Sequence, residues 1–506
     1  MSIKSHLLQG LALAIIPAAF WLSNHANAQT IQPQREITSP SDIIRPDIQP
    51  LPSIDSIQDL PKAPDDTDPI GRLIERLSTG EPGTEPKAKP SDQSGQSIRD
   101  EIGKKYDQEF QAGFEDDGWE NVSAEKFTCK PSGRILMDYV NWLDDSEIGG
   151  ASDYFEFRQA RLTLAGTGYG VYEYKFDMEF EPEVADTSGG SVVSTFGSVA
   201  MRDLFIGIKD MPLFGNVRVG NQKVHFSLST MLARQDMTFA ERPPMSDPPG
   251  FSPLRKVGVS SMSHSADLNK TLGYGIYFAD INDLAKERQD DNQGMLFGTR
   301  STWLPFYDEP SDGRYLVHVG SGFIYSTPPD NALRFRGRPS IHEAPFMIDS
   351  GPLASNRYSV WGGELAIQRG AFLLESELMY SRVDEVAGGK RDLWGCYVEG
   401  SYRLTGEHRS YIREQGVFGR LTPYENCWLV PGSNGIGAWE IAARYSYTDF
   451  HDSPNNADLK NIDLGLIWYW TPDLRLDLNY IHPMTDGGTF GNTQSDALLM
   501  RMSVYF

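Results

Sequence analysis

The sequence is short of cysteine, short of basic charge relative to acidic charge, and short of long apolar runs. Its three cysteines, Cys129, Cys396 and Cys427, match no zinc-site spacing and allow at most one disulfide, for which a Cys396–Cys427 pairing stays open. Lysine and arginine total 46 against 69 aspartates and glutamates, a net charge of −23. Nucleic-acid binding favours a basic footprint, so we expect no nucleic-acid partner. Beyond the first residues there is no run of about 18 apolar residues, so we expect no further transmembrane helix.

Residues 1–28 have the organisation of a secretory signal peptide. Lys4 precedes an apolar run from Leu7 to Leu22, and Ala26-Asn27-Ala28 forms a small-residue cleavage pattern. A membrane anchor is the alternative, but the run is short and Pro17 interrupts it. We therefore predict an exported protein.

Residues 29–125 are rich in proline and aspartate and bury too little apolar surface to offset the entropy of ordering them. We predict a largely disordered periplasmic extension that contains short helices, one near 68–77 and one near 98–110. Contact with a periplasmic partner and an isolated helix in a spacer are both open. The acidic excess continues through residues 126–506.

From residue 133 onward, apolar and polar residues alternate with period two, as in "VYEYKFDMEFE" at 171–181. This pattern predicts about sixteen strands. They lie near 133–143, 154–166, 171–181, 200–210, 215–223, 254–263, 271–281, 294–304, 313–326, 357–369, 371–383, 391–405, 436–450, 459–470, 474–483 and 496–506. Short turns alternate with longer connections at 182–199, 224–253, 327–356 and 406–435, which suits a hairpin ladder whose two ends differ.

A soluble sandwich would show the same alternation, with its apolar face inside. Three features favour a membrane barrel: the strand lengths, a rise of about 25 Å for a tilted strand, and aromatic residues near strand ends, such as Trp439 and Trp468. The predicted fold class is therefore all-β, a transmembrane antiparallel β-barrel of about 16 strands over residues 126–506. A barrel of that size is too wide for side chains to fill, so we expect a water-filled channel in outer-membrane lipid.

Several separated motifs resemble the phosphate-selective porin O and P family over roughly 126–506. They are "FTCKPSGRILMDYV", "FEFRQARLTLAG", "VRVGNQKVHFSLS", "LTGEHRSY", "GAWEIAARYSYTD", "GLIWYWTPDLRLDLNYIHP" and the terminal "MRMSVYF". The resemblance implies a homotrimeric porin of the bacterial outer membrane that passes small anions, phosphate or polyphosphate among them. It also implies that Phe506 belongs to an outer-membrane assembly signal. Family members often carry two adjacent arginines in the second strand, where this chain has Arg158 and Arg161 three residues apart.

A channel selects ions through the charges that line its narrowest part, and arginine binds phosphate oxygens in a bidentate manner. The connection 224–253 is the predicted inner loop, stiffened by its prolines. The predicted pore-lining residues are Lys175, Arg218, Lys223, Arg234, Arg242, Arg444, Arg475 and Arg501. The alternative is that these charges pair with one another or solvate a wide lumen.

Enzymatic chemistry finds no support, because His225 and His264 lack nucleophile-elbow or metal-ligand contexts. We expect no enzyme, no metal and no cofactor. Two rival functions remain open: a general non-selective diffusion porin, and a structural outer-membrane protein tethered to a periplasmic partner through residues 29–125.

Overall fold

The computed structural model describes residues 122–124, 126–144, 148, 151–185, 193–279 and 294–506. The predicted signal peptide, 1–28, and the predicted short helices of the extension lie outside the described residues. In the described part of the chain, no helix has the length and apolarity needed to cross a membrane.

Within the described residues, sixteen long strands follow one another along the chain. They are β1 (Phe127–Asp144), β2 (Tyr154–Gly168), β3 (Tyr172–Ala185), β4 (Val193–Met211), β5 (Gly215–Lys223), β6 (Arg255–His264), β7 (Lys270–Phe278), β8 (Met295–Tyr307), β9 (Tyr315–Thr327), β10 (Leu353–Arg369), β11 (Phe372–Glu385), β12 (Lys390–Arg403), β13 (Ala438–Asp449), β14 (Ala457–Thr471), β15 (Leu474–Gly487) and β16 (Asp496–Tyr505). Each predicted strand has its counterpart, so the predicted fold class is confirmed.

Every strand pairs antiparallel with its neighbours in sequence, and β16 pairs with β1 to close the barrel. The closing register places Met137 opposite Met502 and Asp138 opposite Arg501. At the chain end, the Phe506 N–H donates to the Gly133 carbonyl at 3.0 Å and the Gly133 N–H donates to the Phe506 carbonyl at 2.7 Å. Closure leaves no open sheet edge, which lipid would not tolerate.

The alternation of side chains assigns the two faces of the wall. On the outward face, Leu478 and Met500 are 42% and 45% exposed. Their chain neighbours Asp477 and Arg501 point inward and are 0% and 1% exposed. A soluble sandwich would bury the apolar set, so the outward leucines and methionines identify a lipid-facing surface.

Three tryptophans cluster at one rim of the barrel. The Trp439 and Trp468 rings stack with centroids 4.9 Å apart, and the Trp470 ring lies 5.0 Å from that of Trp468. Trp439 is the second residue of β13 and Trp468 lies near the end of β14, so the tryptophan cluster lies at the end where β14 turns into β15. Amphipathic rings prefer the level of the lipid headgroups.

The two ends of the barrel differ, as predicted. At the turn end the connections are short, for example 169–171, 370–371 and 472–473. At the loop end they include 224–254 and 328–352. The predicted connection 182–199 is shorter than expected, because β3 extends to Ala185 and β4 begins at Val193.

The predicted alternation of short turns and long connections fails at 386–389, a short connection at the loop end, and at 404–437, a long one at the turn end. The segment 404–437 joins β12 to β13 and therefore lies at the turn end, because every even-numbered strand runs toward that end. This long segment therefore lies at the end of the barrel opposite to the long connections 224–254 and 328–352.

Replacing a lipid-facing residue by arginine tests the assignment of the outer face. Leu478→Arg in β15 is expected to cost about 2–4 kcal/mol, because the charge must be placed in the apolar band. Urea unfolding in vesicles measures the loss. Leu213→Arg is the control, since Leu213 is 97% exposed in the turn between β4 and β5 and leaves the band untouched. Equal stability of the two variants would contradict the assignment.

Candidate pore-lining site

The inner loop, residues 224–254, folds back into the barrel from the loop end. It starts with a one-turn helix, α1 (Leu228–Met231), whose first turn is capped by Ser227. Wall residues hold its carbonyl and amide groups: Arg475 Nη1 donates to the Met237 carbonyl at 2.8 Å, and the Ala240 N–H donates to Asn479 Oδ1 at 3.1 Å. The predicted inner loop 224–253 therefore lies inside the lumen, against the wall formed by β15.

Glu241, near the middle of the inner loop, gathers arginines from three parts of the chain. Its Oε1 lies 2.9 Å from Arg158 Nε and 2.6 Å from Arg501 Nη2, and its Oε2 lies 2.6 Å from Arg234 Nη1. Arg501 also donates two hydrogen bonds to the Asp138 carboxylate, from Nε at 2.6 Å and from Nη2 at 2.5 Å. Three guanidinium groups thus face two carboxylates, which leaves this cluster, the Glu241 cluster, with one excess positive charge.

Glu241 stays ionised in this cluster. Burial alone would raise the pKa of its carboxyl, but Arg158, Arg234 and Arg501 outweigh burial and hold that pKa well below its ordinary value. For Asp247, further along the same loop, burial and the nearby Glu241 charge raise the pKa. The fold therefore stabilises the ionised form of Glu241 and disfavours the ionised form of Asp247.

The other predicted pore-lining residues are also partnered. Lys175 Nζ lies 2.7 Å from Asp203, Arg218 Nε lies 2.6 Å from Glu173, Arg444 Nε lies 2.8 Å from Asp463, and Arg475 Nε lies 3.1 Å from Asp477. Lys223 and Arg242 donate instead to backbone carbonyls of 229–232, at 2.8 to 3.2 Å. With Arg234 and Arg501 in the Glu241 cluster, all eight have an oxygen partner. Lys223 and Arg501 hold the inserted loop, whereas Lys175 and Arg218 join strands of the wall to one another.

The sequence did not show that Arg158 and Arg161 would share the inward face. Three residues apart in a regular strand, they would face opposite ways. The register between β1 and β2 shifts between Leu136 and Asp138, and this bulge turns both arginines into the lumen. Arg158 joins Glu241, and Arg161 pairs with Asp177 at 3.2 Å and with Glu179.

The turn-end segment, 404–437, also enters the lumen, and sequence reasoning missed it. Its Tyr411 hydroxyl lies 2.6 Å from His318 Nδ1, and His318 Nε2 lies 3.0 Å from Glu364. Arg300 binds Glu364 with two hydrogen bonds of 2.8 Å and donates to the Gly416 carbonyl at 2.8 Å. The inner loop therefore occupies the lumen from the loop end and the turn-end segment occupies it from the turn end. The open space is smaller than sixteen strands alone would leave.

The cysteines play no part in this arrangement. Cys129, Cys396 and Cys427 are all free, so the open Cys396–Cys427 pairing is not formed.

Comparison with known proteins gives one family match. The model of the family described as "Phosphate-selective porin O and P" matches residues 130–506, from the first strand of the barrel to its end. The chain is 24% identical over 413 residues to Porin O of Pseudomonas aeruginosa, covering 75% of this chain and 88% of that protein. It is 26% identical over 367 residues to an uncharacterized protein of Caulobacter vibrioides, covering 69% and 67% respectively.

Solved structures with similar folds include an anion-selective porin from Comamonas acidovorans, 14% identical with a TM-score of 0.47, covering 75% of this chain and 100% of that one. The trimer form of OmpT from Vibrio cholerae is 12% identical with a TM-score of 0.44, covering 76% and 100%.

Neutralising Glu241 tests the role of the Glu241 cluster. Glu241→Gln is expected to cost about 3–5 kcal/mol, because three buried arginines then face Asp138 alone. The measurement is the urea midpoint of the folded barrel. Asp247→Asn, in the same loop, is the matched control and is expected to cost little, since the raised pKa of Asp247 means that the fold disfavours its charged form. A loss of stability in Asp247→Asn equal to that in Glu241→Gln would contradict this assignment.

Proposed function

The chain belongs to the phosphate-selective porin O and P family and is an outer-membrane porin, and we propose that its pore selects small anions, phosphate or polyphosphate among them. Family and fold point to a channel rather than an enzyme, and absence of enzymatic activity is part of the proposal. The acidic balance of the whole chain does not oppose anion selection, because the charges at the narrow part of the pore decide it.

The observation that carries the proposal is Arg134 on the inward side of β1. The register places Arg134 directly opposite Arg161 on β2, so two guanidinium side chains start from neighbouring positions of the wall. Arg161 is held by Asp177 and Glu179. Within the described residues Arg134 forms no ion pair, and its Nε has no hydrogen-bond partner.

An arginine in this position can bind an oxyanion that moves through the pore. Arg161 and Arg234 repel Arg134, while Glu179 and Tyr505 attract it more weakly, so an anion that arrives offsets the remaining like-charge repulsion as well as gaining hydrogen bonds. Guanidinium groups present parallel N–H donors that match two phosphate oxygens. In a narrow lumen of low dielectric constant this attraction exceeds that in bulk water.

The rival functions predict different behaviour. A general diffusion porin would use the same barrel but would not depend on Arg134 for selectivity. A structural protein tethered through residues 29–125 would lose envelope attachment, and not conductance, when that extension is deleted. Of the extension the structure describes only residues 122–124, which pair with the start of β1, and these three residues do not test that role.

Removing the charge of Arg134 tests anion selection. Arg134→Gln is expected to shift the reversal potential in a salt gradient toward cations. It is also expected to weaken block by phosphate about tenfold or more, since a hydrogen bond to a charged group contributes about 1.5–3 kcal/mol. The measurement is current through the reconstituted channel in a planar bilayer.

Arg382→Gln is the matched control for this experiment. Arg382 lies on the outward face of β11 beside Asp392, 2.8 Å away, so its charge does not face the lumen. The control should keep wild-type selectivity and phosphate block. Wild-type behaviour of Arg134→Gln, or an equal shift in both variants, would reject the role of Arg134.

The proposal includes a homotrimer, which the family resemblance implies. Chemical cross-linking in native outer membrane, followed by mass measurement in detergent, is expected to give three chains per particle. A particle of one chain in both preparations would contradict trimer formation and leave the pore of each chain unaffected.

A further inference from the structure

Three potential metal ligands converge at the loop end of the barrel. Glu156 projects from β2, while His342 and Glu343 are neighbours in the connection 328–352. His342 Nδ1 lies 3.0 Å from Glu156 Oε2 and 3.1 Å from Glu343 Oε1. One ligand atom from each residue lies within 4.8 Å of the other two.

These distances suit ligands that share an ion. With metal–ligand bonds of about 2.1 Å, neighbouring ligand atoms lie about 3.0–3.4 Å apart in octahedral or tetrahedral coordination. A bare Nδ1 lone pair facing two carboxylates would be repelled, so either the Nδ1 proton or a metal ion must lie between the three groups. In the metal-free protein the Nδ1–H tautomer of the imidazole donates to a carboxylate; a bound cation would occupy Nδ1, with the ring proton on Nε2.

We propose that Glu156, His342 and Glu343 form a binding site for a divalent transition-metal ion of the zinc type. One imidazole nitrogen with carboxylate oxygens is a donor set that zinc, cobalt and nickel accept, whereas magnesium and calcium favour oxygen ligands alone. Glu156 and His342 are half-buried and Glu343 is exposed, so solvent reaches the site and water can complete the coordination.

The site is held in shape before any ion binds. Ser340 Oγ, two residues before His342, accepts from Arg444 Nη2 at 2.9 Å and from Asn461 Nδ2 at 3.0 Å and donates to Asp463 Oδ2 at 3.1 Å. The Tyr154 hydroxyl accepts from the Glu343 N–H at 3.2 Å. Ligands fixed from both sides lose little conformational entropy on binding the ion.

An ion here would join two parts of the protein that are distant in sequence. Two ligands belong to a connection at the mouth and the third belongs to the barrel wall, so the ion would clamp that connection to β2. Glu156 is two residues from Arg158, which binds the inner loop through Glu241. The site is thus a cross-link beside the pore, and its existence does not depend on which solute the channel selects.

Zinc binding to the full chain tests the proposal. The protein is purified in detergent without a histidine tag, stripped with a chelator, and titrated with Zn²⁺ in competition with a chromophoric chelator. One ion is expected per chain. His342→Ala and Glu156→Gln are each expected to weaken binding about tenfold or more. Co²⁺ bound in place of zinc is expected to give a visible absorption spectrum that His342→Ala abolishes.

His451→Ala is the matched control. His451 also lies beside carboxylates at the loop end, but Asp449 and Asp458 are each 3.9 Å away and face different ring nitrogens. This variant should bind zinc as the wild type does. Absence of zinc binding by the wild type, or equal affinity of wild type and His342→Ala, would overturn the proposal and leave the three residues as an ion pair only. Retained heat-modifiable migration on gels shows that each variant is folded.

Discussion

The hydrogen bonds between β1 and β16 are the constraint on which the rest of the structure depends. In lipid, an unpaired backbone N–H or carbonyl has no water to bind, so a sheet that crosses the membrane must close on itself. Closure fixes which face of each strand meets lipid, because side chains alternate. Once Leu478 and Met500 face outward, Asp477 and Arg501 must face inward, and the lumen becomes the place where charged groups accumulate.

The inward charges also hold two chain segments, the inner loop and the turn-end segment, inside the barrel. Glu241 binds Arg158, Arg234 and Arg501, and Arg300 with Glu364 binds the turn-end segment. Breaking one partner of such a buried pair is costly, so these contacts fix position more than they add net stability. Other basic residues of the lumen, such as Lys175 and Arg218, pair with carboxylates of the wall itself.

Sequence predicted the sixteen strands and their faces because period-two alternation is a local property, readable within each strand. The bulge that turns Arg158 inward is a register shift between two strands, and no local pattern records it. The partners of Glu241 lie 7 to 260 residues away, so the pairing of the predicted pore arginines could not be read either. The position of 404–437 could have been predicted from the sequence, because this segment is the twelfth connection and every even-numbered connection lies at the turn end.

Accessibility along β15 tests the central claim, a closed barrel with its apolar face in lipid, most directly. Single cysteines would be placed at consecutive positions from 474 to 481, in a chain whose native cysteines are replaced by serine, and spin-labelled in vesicles. The account predicts that collision with a lipid-soluble relaxing agent alternates with period two, high at 474, 476, 478 and 480. Uniform collision along the strand, or high values at 475, 477 and 479, would contradict it.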